Sequence, residues 1–188
     1  MNNPFRRLFQ RYVEFSCFQR FLEDEAVNLG NAAVLDPGCG SGYEAQLIHD
    51  QWSPAQLIGF DLMPEQVKKA HNRSPEIPFF VGDITRIPFP PATFDGVFLF
   101  AVLHHIPAWQ KAIEEINRVL TDDGLLLIED YHRVLVTAGA MVGFDHPEES
   151  RFHWDEFTEA LSQRGFSVER EENILTPWFR SFLCRKNE

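Results

Sequence analysis

Cysteine is scarce in this 188-residue chain: only Cys17, Cys39 and Cys184 occur, an odd number with no CxxC spacing. That excludes a disulfide framework and a cysteine-based structural zinc site, and it fits a reducing compartment. Long apolar runs are missing too, so no segment reads as a membrane span. No charged-then-apolar leader pattern is present, and the expected location is cytoplasmic. Positive charge is in deficit, with 17 Lys and Arg against 28 Asp and Glu and a net charge of −11. A surface of that sign repels phosphate backbones, which argues against nucleic acid as a partner. The local exception is Arg6, Arg7, Arg11 and Arg20, which meet only Glu14 as an acidic neighbour within residues 5–20. Repeats and low-complexity tracts are absent, and the length suits one domain, residues 1–188, with a sizeable core.

Against those absences stands one dense segment, Val34-Leu35-Asp36-Pro37-Gly38-Cys39-Gly40-Ser41-Gly42. It reads as a short buried strand, an acid at its end, and a glycine-rich turn into a helix. Pro37 forces Asp36 into extended geometry, as a strand end requires. Glycines at alternate positions let the backbone take positive φ and let a ligand approach closely. Ser41 and Glu44 have the spacing of a capping box, which predicts a helix from about Ser41. A nucleotide-like ligand held across this strand–turn–helix is the leading idea.

The rest of the chain alternates. Residues 4–27 read as one or two helices, with Phe5, Phe9, Tyr12 and Ser16 at helical spacing. A basic, phenylalanine-rich helix can make peripheral contact with a membrane; packing over the domain, where it can close a pocket, is the commoner use. Strands are expected at residues 32–36, 57–61, 78–81, 94–100 and 125–129, with Asp122-Asp123-Gly124 as the turn before the fifth. Helices are expected from Pro64, over Trp109 to Leu120, and over residues 154–164. Residues 166–174 and 178–185 read as two closing strands, antiparallel to each other. Such alternation specifies an α/β sheet with helices on both faces. By this reading residues 1–30 form a helical lead-in, 31–130 a ligand-binding half, and 131–188 the opposite half with the closing hairpin.

In sheets of this kind ligands bind beyond the carboxyl ends of the strands, near the switch in strand order. Asp36 ends strand one, Asp61 ends strand two, Asp83 follows strand three, residues 101–105 follow strand four, and Glu129 and Asp130 end strand five. Asp61, 19 residues after Gly42, suits ribose hydroxyls, as an acid would in a dinucleotide-binding fold as well. The glycines at 38, 40 and 42 depart from GxGxxG, and Tyr43 sits where the last glycine would be. NAD is therefore the weaker choice of ligand.

Taken together, residues 34–42, Gly59-Phe60-Asp61, Gly82-Asp83-Ile84, residues 94–106 with Leu103-His104-His105-Ile106, and residues 120–130 resemble the successive motifs of class I S-adenosylmethionine-dependent methyltransferases. The resemblance implies a doubly wound, seven-stranded, mostly parallel Rossmann-like sheet and S-adenosyl-L-methionine as cofactor. It also implies methyl transfer by in-line displacement, with a small-molecule methyl acceptor as substrate. It assigns Asp36 and the turn of Gly38, Cys39, Gly40 and Gly42 to the methionine part, and Asp61 to the ribose. Leu62, Asp83 and Ile84 fall to the adenine, and Phe100 and Ala101 to the methionine chain. Pro37 departs from the small aliphatic residue usual there.

Proton chemistry is less determined. His104, His105 and Tyr131 are candidates for an acceptor-side role, and His132, His146 and His153 are further candidates to line that pocket. No metal site is expected, because no third ligand shows suitable spacing beside the His104-His105 pair. Cys39, at a helix start, could carry a lowered pKa, yet it reads as a small filler rather than a nucleophile. The other readings weighed are an NAD-dependent oxidoreductase and a non-catalytic cofactor-binding partner subunit. A monomer or a homodimer fits equally.

Overall fold

The structure, a computed structural model, describes residues 4–141 and 146–187. Its strands are β1 (Ala33–Pro37), β2 (Gln56–Asp61), β3 (Phe79–Val81), β4 (Phe94–Phe100), β5 (Leu120–Tyr131), β6 (Phe166–Asn173) and β7 (Phe179–Lys186). They form one seven-stranded sheet in the order β3-β2-β1-β4-β5-β7-β6. The first five strands run parallel, while β7 is antiparallel to both β5 and β6.

Alternation along the strands divides the core into two layers. Val34, Phe98, Leu127 and Leu183 face one side, where α2 (Phe15–Asp24), α3 (Tyr43–Trp52) and α4 (Pro64–Arg73) pack. Leu35, Val97, Leu99, Leu126, Ile128 and Phe182 face the other, covered by α5 (Trp109–Val119) and α7 (Trp154–Gln163). Neighbouring residues of one strand thus serve opposite layers, as a period of two demands. Fully enclosed side chains such as Phe18, Trp109 and Phe157 each stabilise the fold by roughly 1.5–3 kcal/mol. The doubly wound α/β architecture expected from the sequence is the one observed. Strand order reverses between β1 and β4, and the crevice that opens there holds the candidate site.

The N-terminal segment is α1 (Pro4–Phe9), a π-helical stretch Gln10–Glu14, and α2. Phe15, Phe18, Phe21 and Leu22 of α2 are buried in the core beneath it, so this apolar stripe packs on the sheet. Among the described residues no helix is long and apolar enough to cross a membrane.

Two local expectations are corrected, and one element is added. The Ser41–Glu44 capping box does not form: α3 begins at Tyr43, its cap is Gly42 at φ 73°, and no side chain caps it. A left-handed cap suits glycine and strains serine, so the helix starts later than the box requires. The Ser41 carbonyl instead accepts from Arg73 Nε at 2.9 Å, and Glu44 accepts from the Gln10 side chain. Secondly, Asp122-Asp123-Gly124 is not a turn that precedes the fifth strand. β5 runs through it, with Asp123 at φ 62° and a register shift opposite Phe94 and Gly96 absorbing the turn. The added element is α6 (Arg133–Met141), which follows β5 in a stretch to which no element is assigned from the sequence; Val134, Val136 and Thr137 in its first two turns are β-branched and weaken the helical signal.

Candidate functional site

A cavity of about 600 Å³ opens where β1 and β4 end. Its wall has an acidic end built on the glycine turn and an imidazole end built after β4 and β5.

At the acidic end the Gly38 and Cys39 amides both donate to the Phe60 carbonyl, at 2.7 and 3.0 Å, fastening the turn to β2. Asp61 ties the same turn from the side: its Oδ2 accepts from the Gly40 amide at 3.0 Å and its Oδ1 from the Met63 amide at 2.8 Å. Gly40 and Gly42 both have positive φ, but for different ends. A Cβ on Gly42 would lie 2.9 Å from Ala70 Cβ, whereas a Cβ on Gly40 would meet nothing within 4 Å. Gly42 therefore serves packing, and Gly40 leaves open space on the cavity wall.

Asp36 lies on that wall, buried, with no hydrogen-bond partner for Oδ2. Burial first, then the charges of Glu44 and Asp61, hold its carboxyl well above the usual range. A desolvated acid in acidic company gains from a cationic group placed beside it. Cys39 behaves opposite to a helix-start thiolate. Burial, followed by Asp36 and Asp61, raises its pKa, which makes it a filler rather than a nucleophile.

Leu62, Asp83 and Ile84 stand on the same rim but off the enclosed wall. Leu62 is exposed and Ile84 is buried. Asp83 Oδ1 accepts from both the amide and the hydroxyl of Thr85, each at 2.8 Å. Asp61, ending β2, also lies outside that wall. The expected adenosine-side residues therefore follow an open strip along the ends of β2 and β3, while the enclosed space is on the expected methionine side.

Two wall residues come from α1 and the π-helical stretch. Arg7 and Arg73 place their guanidinium carbons 5.7 and 5.5 Å from the Tyr43 ring centroid. The Tyr43 hydroxyl donates to the Arg7 carbonyl at 3.2 Å. Tyr43 thus fastens the N-terminal segment over the cavity, and Gln10 lies beside it on the wall.

The imidazole end begins with strain. Ala101 has φ 55°, a left-handed conformation costing roughly 1–2 kcal/mol for a residue with a Cβ. Its amide donates to the Glu129 carbonyl at 3.0 Å, and the chain then turns through a 3₁₀ segment, Leu103–His105. Asp130 organises that segment. Its Oδ2 accepts from the Leu103 amide at 2.8 Å, and its Oδ1 lies 2.7 Å from both the Tyr131 amide and His104 Nδ1. A carboxylate at Nδ1 fixes the tautomer with the proton there and leaves Nε2 to the cavity side. The pairing joins residues 26 apart; the sequence showed each at a strand end but not that they meet.

His105 packs its ring 4.1 Å from that of His104. Its Nδ1 lies 3.1 Å from His146 Nδ1. Burial, then His104 and His146, push its pKa down to about 4. Spacing alone offered no third ligand beside His104 and His105. The fold supplies one, for a ring nitrogen from each of His104, His105 and His146 falls within 4.8 Å of the others. Tyr131 stacks on Phe179 at 4.4 Å and meets the His104 ring edge-on at 5.0 Å. His132 and His153 pair with each other at 3.1 Å and lie off the cavity wall. Arg7, Gln10, Ser41, Glu44 and Gln66 complete the lining; the sequence marked Ser41 and Glu44 only as a helix cap and Arg7 only as part of a basic cluster, and Gln10 and Gln66 not at all.

The description "Methyltransferase domain" matches residues 35–128. The chain is 32% identical over 138 residues to a Mycolicibacterium smegmatis protein named "Probable S-adenosylmethionine-dependent methyltransferase/", covering 72% of this chain and 52% of that one. It is 37% identical over 119 residues to the malonyl-(acyl-carrier protein) O-methyltransferase of Herminiimonas arsenicoxydans, covering 63% and 41%. The chain thus spans about half the length of the curated relatives it matches. Among solved structures, the complex between the Haloferax volcanii Trm112 methyltransferase activator and a methyltransferase superposes with a TM-score of 0.80 at 19% identity, over 97% of this chain and 93% of that one. At that identity the likeness is one of fold. The matched segment carries the glycine turn, Asp61, Asp83 and the His104-His105 pair, and the chain belongs to the S-adenosylmethionine-dependent methyltransferase family.

Proposed function

We propose that this chain moves the methyl group of S-adenosylmethionine onto a small-molecule acceptor by in-line displacement. The observation that carries the reading is the shared cavity, which joins the unpartnered Oδ2 of Asp36 and the glycine turn to an aromatic and imidazole end. When bound, the cofactor supplies a methyl group already attached to a sulfonium leaving group. Asp36 would face its ammonium, and Arg7 on the same wall would offer a cation to its carboxylate. The glycine turn, Phe100 and Ala101 would hold the methionine part. Asp61 retains lone pairs for the ribose hydroxyls beyond those used by Gly40 and Met63. Leu62 and Ile84 would adjoin the adenine, and Asp83, whose Oδ1 is engaged by Thr85, would keep Oδ2 for its amino group.

The acceptor end suits a molecule with an apolar body and a protic group. Phe100 and Tyr131 form its flat walls, and His104 and His105 its polar edge. Holding that group in line with the methyl carbon is worth up to about 7–11 kcal/mol of the barrier in favourable cases. A residue that removes a proton is required only where the acceptor must lose one. The Herminiimonas relative is named for a malonyl thioester carried on a protein, which makes carboxyl-bearing acyl compounds a first class to try. An NAD-dependent reaction lacks support, since Tyr43, sitting at the last glycine of a dinucleotide fingerprint, instead lines the cavity.

Methyl-labelled cofactor incubated with carboxylic acids, malonyl thioesters and phenols tests the reading. Label is expected in one class of small product, and Asp36→Asn is expected to suppress it. Failure of all three classes, together with no binding of S-adenosylhomocysteine, would overturn it.

A further inference from the structure

We propose that His104, His105 and His146 form a divalent-cation site at the acceptor end of the cavity. Among the described residues this is the one group of three potential ligands whose donor atoms lie so close together. Metal–imidazole bonds of about 2.0–2.1 Å in a tetrahedral site put neighbouring donor nitrogens about 3.3 Å apart. The His105 and His146 Nδ1 atoms already stand 3.1 Å apart. All three nitrogens lie within 4.8 Å of one another, so side-chain rotation closes the remainder.

His104 is prepared for the task from behind. Its Nδ1 rests 2.7 Å from the buried Asp130 carboxylate, and a carboxylate behind a ligating histidine orients the ring and raises its basicity. That leaves Nε2 as the ligand atom. Asp130 is itself held by two backbone amides, so the ring is fixed before any ion arrives.

The donor set names the class of ion. Three imidazoles without thiolates suit zinc, cobalt, nickel or copper, whereas magnesium and calcium take oxygen ligands. Three protein ligands leave further positions open, the arrangement of sites that bind a substrate or water rather than brace a fold. His104 and His105 are on the cavity wall beside Tyr131, so the open position faces the acceptor. An acceptor hydroxyl bound there loses its proton to water more readily than when free. Its oxygen lone pair then forms the bond to the methyl carbon as the carbon–sulfur bond breaks, with that electron pair going to sulfur. This role rests on the methyl-transfer reading; the binding of the ion does not.

Titrating the metal-stripped full chain with Co²⁺, followed by its visible d–d bands, is the test. One saturable equivalent with the intense bands of a four-coordinate site is expected, displaced by Zn²⁺. His105→Ala and His146→Ala should each weaken binding by about tenfold or more, since losing a ligand costs at least what losing its supporting partner does. Replacing both His132 and His153 by alanine should leave it unchanged. Calorimetry with S-adenosylhomocysteine on every variant reports separately on folding and on the cofactor end. No stoichiometric Co²⁺ binding, or undiminished binding in both histidine variants, overturns the cation site while leaving the methyl-transfer reading intact. Loss of the bands in the His132/His153 double variant places the ion elsewhere and overturns it equally.

Discussion

The two ends of the cavity differ in how far apart in sequence their residues lie. At the acidic end, the residues from Asp36 to Tyr43 form one continuous segment, from the end of β1 through the glycine turn into α3, tied across by Asp61. At the imidazole end, His104 meets Asp130 from the next strand end, and His105 meets His146 from 41 residues away. The first is a backbone device, in which positive φ and amide contacts create the shape. The second is a side-chain device, in which one buried carboxylate sets the position of its neighbours. Their responses to substitution should differ accordingly.

The largest effect is expected at Asp130. Alanine there leaves the Leu103 and Tyr131 amides and His104 Nδ1 without their acceptor, at about 1–3 kcal/mol for each buried donor. Denaturant unfolding should show a loss of roughly 3 kcal/mol or more, with Asp130→Asn recovering part of it. An Asp130→Ala protein as stable as the parent would mean that the carboxylate does not organise this end.

At the acidic end Gly42 and Gly40 separate packing from access. Gly42→Ala meets both a left-handed backbone and Ala70 at 2.9 Å, so a loss of about 2–5 kcal/mol in stability is expected, combining the backbone and overpacking costs. Gly40→Ala meets only the backbone cost, about 1–2 kcal/mol, and should weaken cofactor binding because its methyl group enters the cavity. Equal stability losses with unchanged binding in both would erase the distinction.

Asp36 sharpens the comparison through pH. Its folded pKa lies above the unfolded value of about 3.9, so in the ligand-free protein its charge costs stability as pH rises past that value. A cationic ligand favours the carboxylate, so binding should release protons and affinity should climb with pH through the folded pKa. Asp36→Asn should stabilise the ligand-free chain at neutral pH and remove the proton release. It should also cost about 1.5–3 kcal/mol of cofactor affinity, as for other hydrogen bonds to charged groups. Melting curves across pH and calorimetry in buffers of different ionisation enthalpy read both.

The smallest effect is expected far from either end. Arg20 and Glu172 form a surface pair at 2.8 Å, and Arg20→Ala should change stability by no more than about 1 kcal/mol. A larger loss would show that the N-terminal segment is held to the sheet by charge rather than by Phe15, Phe18 and Phe21.

The same contrast explains what could be read in advance. The sheet was legible because β1, β2 and β4 are buried on both faces and so appear as continuous apolar runs bounded by turn residues. The acidic end was legible because its residues are adjacent, and chemistry written into one turn survives in one dimension. The Ser41 box failed because the cap geometry depends on the φ of Gly42, which spacing does not encode. His146 was named as a pocket candidate and Asp130 as a strand-end acid, but their meetings with His105 and His104, and the place of Arg7 on the cavity wall, were not legible. The first pairing is made by the segment after β5, the second by the parallel pairing of β4 with β5, and the position of Arg7 by α1. Cys39 was read as a filler despite its place at a helix start, and burial beside Asp36 and Asp61, which raises its pKa, agrees with that reading.

Calorimetric titration of the full chain with S-adenosylhomocysteine tests the central claim most directly. One equivalent should bind with proton release that Asp36→Asn abolishes. A flat trace at millimolar ligand, or binding unaltered by that substitution, would contradict the account.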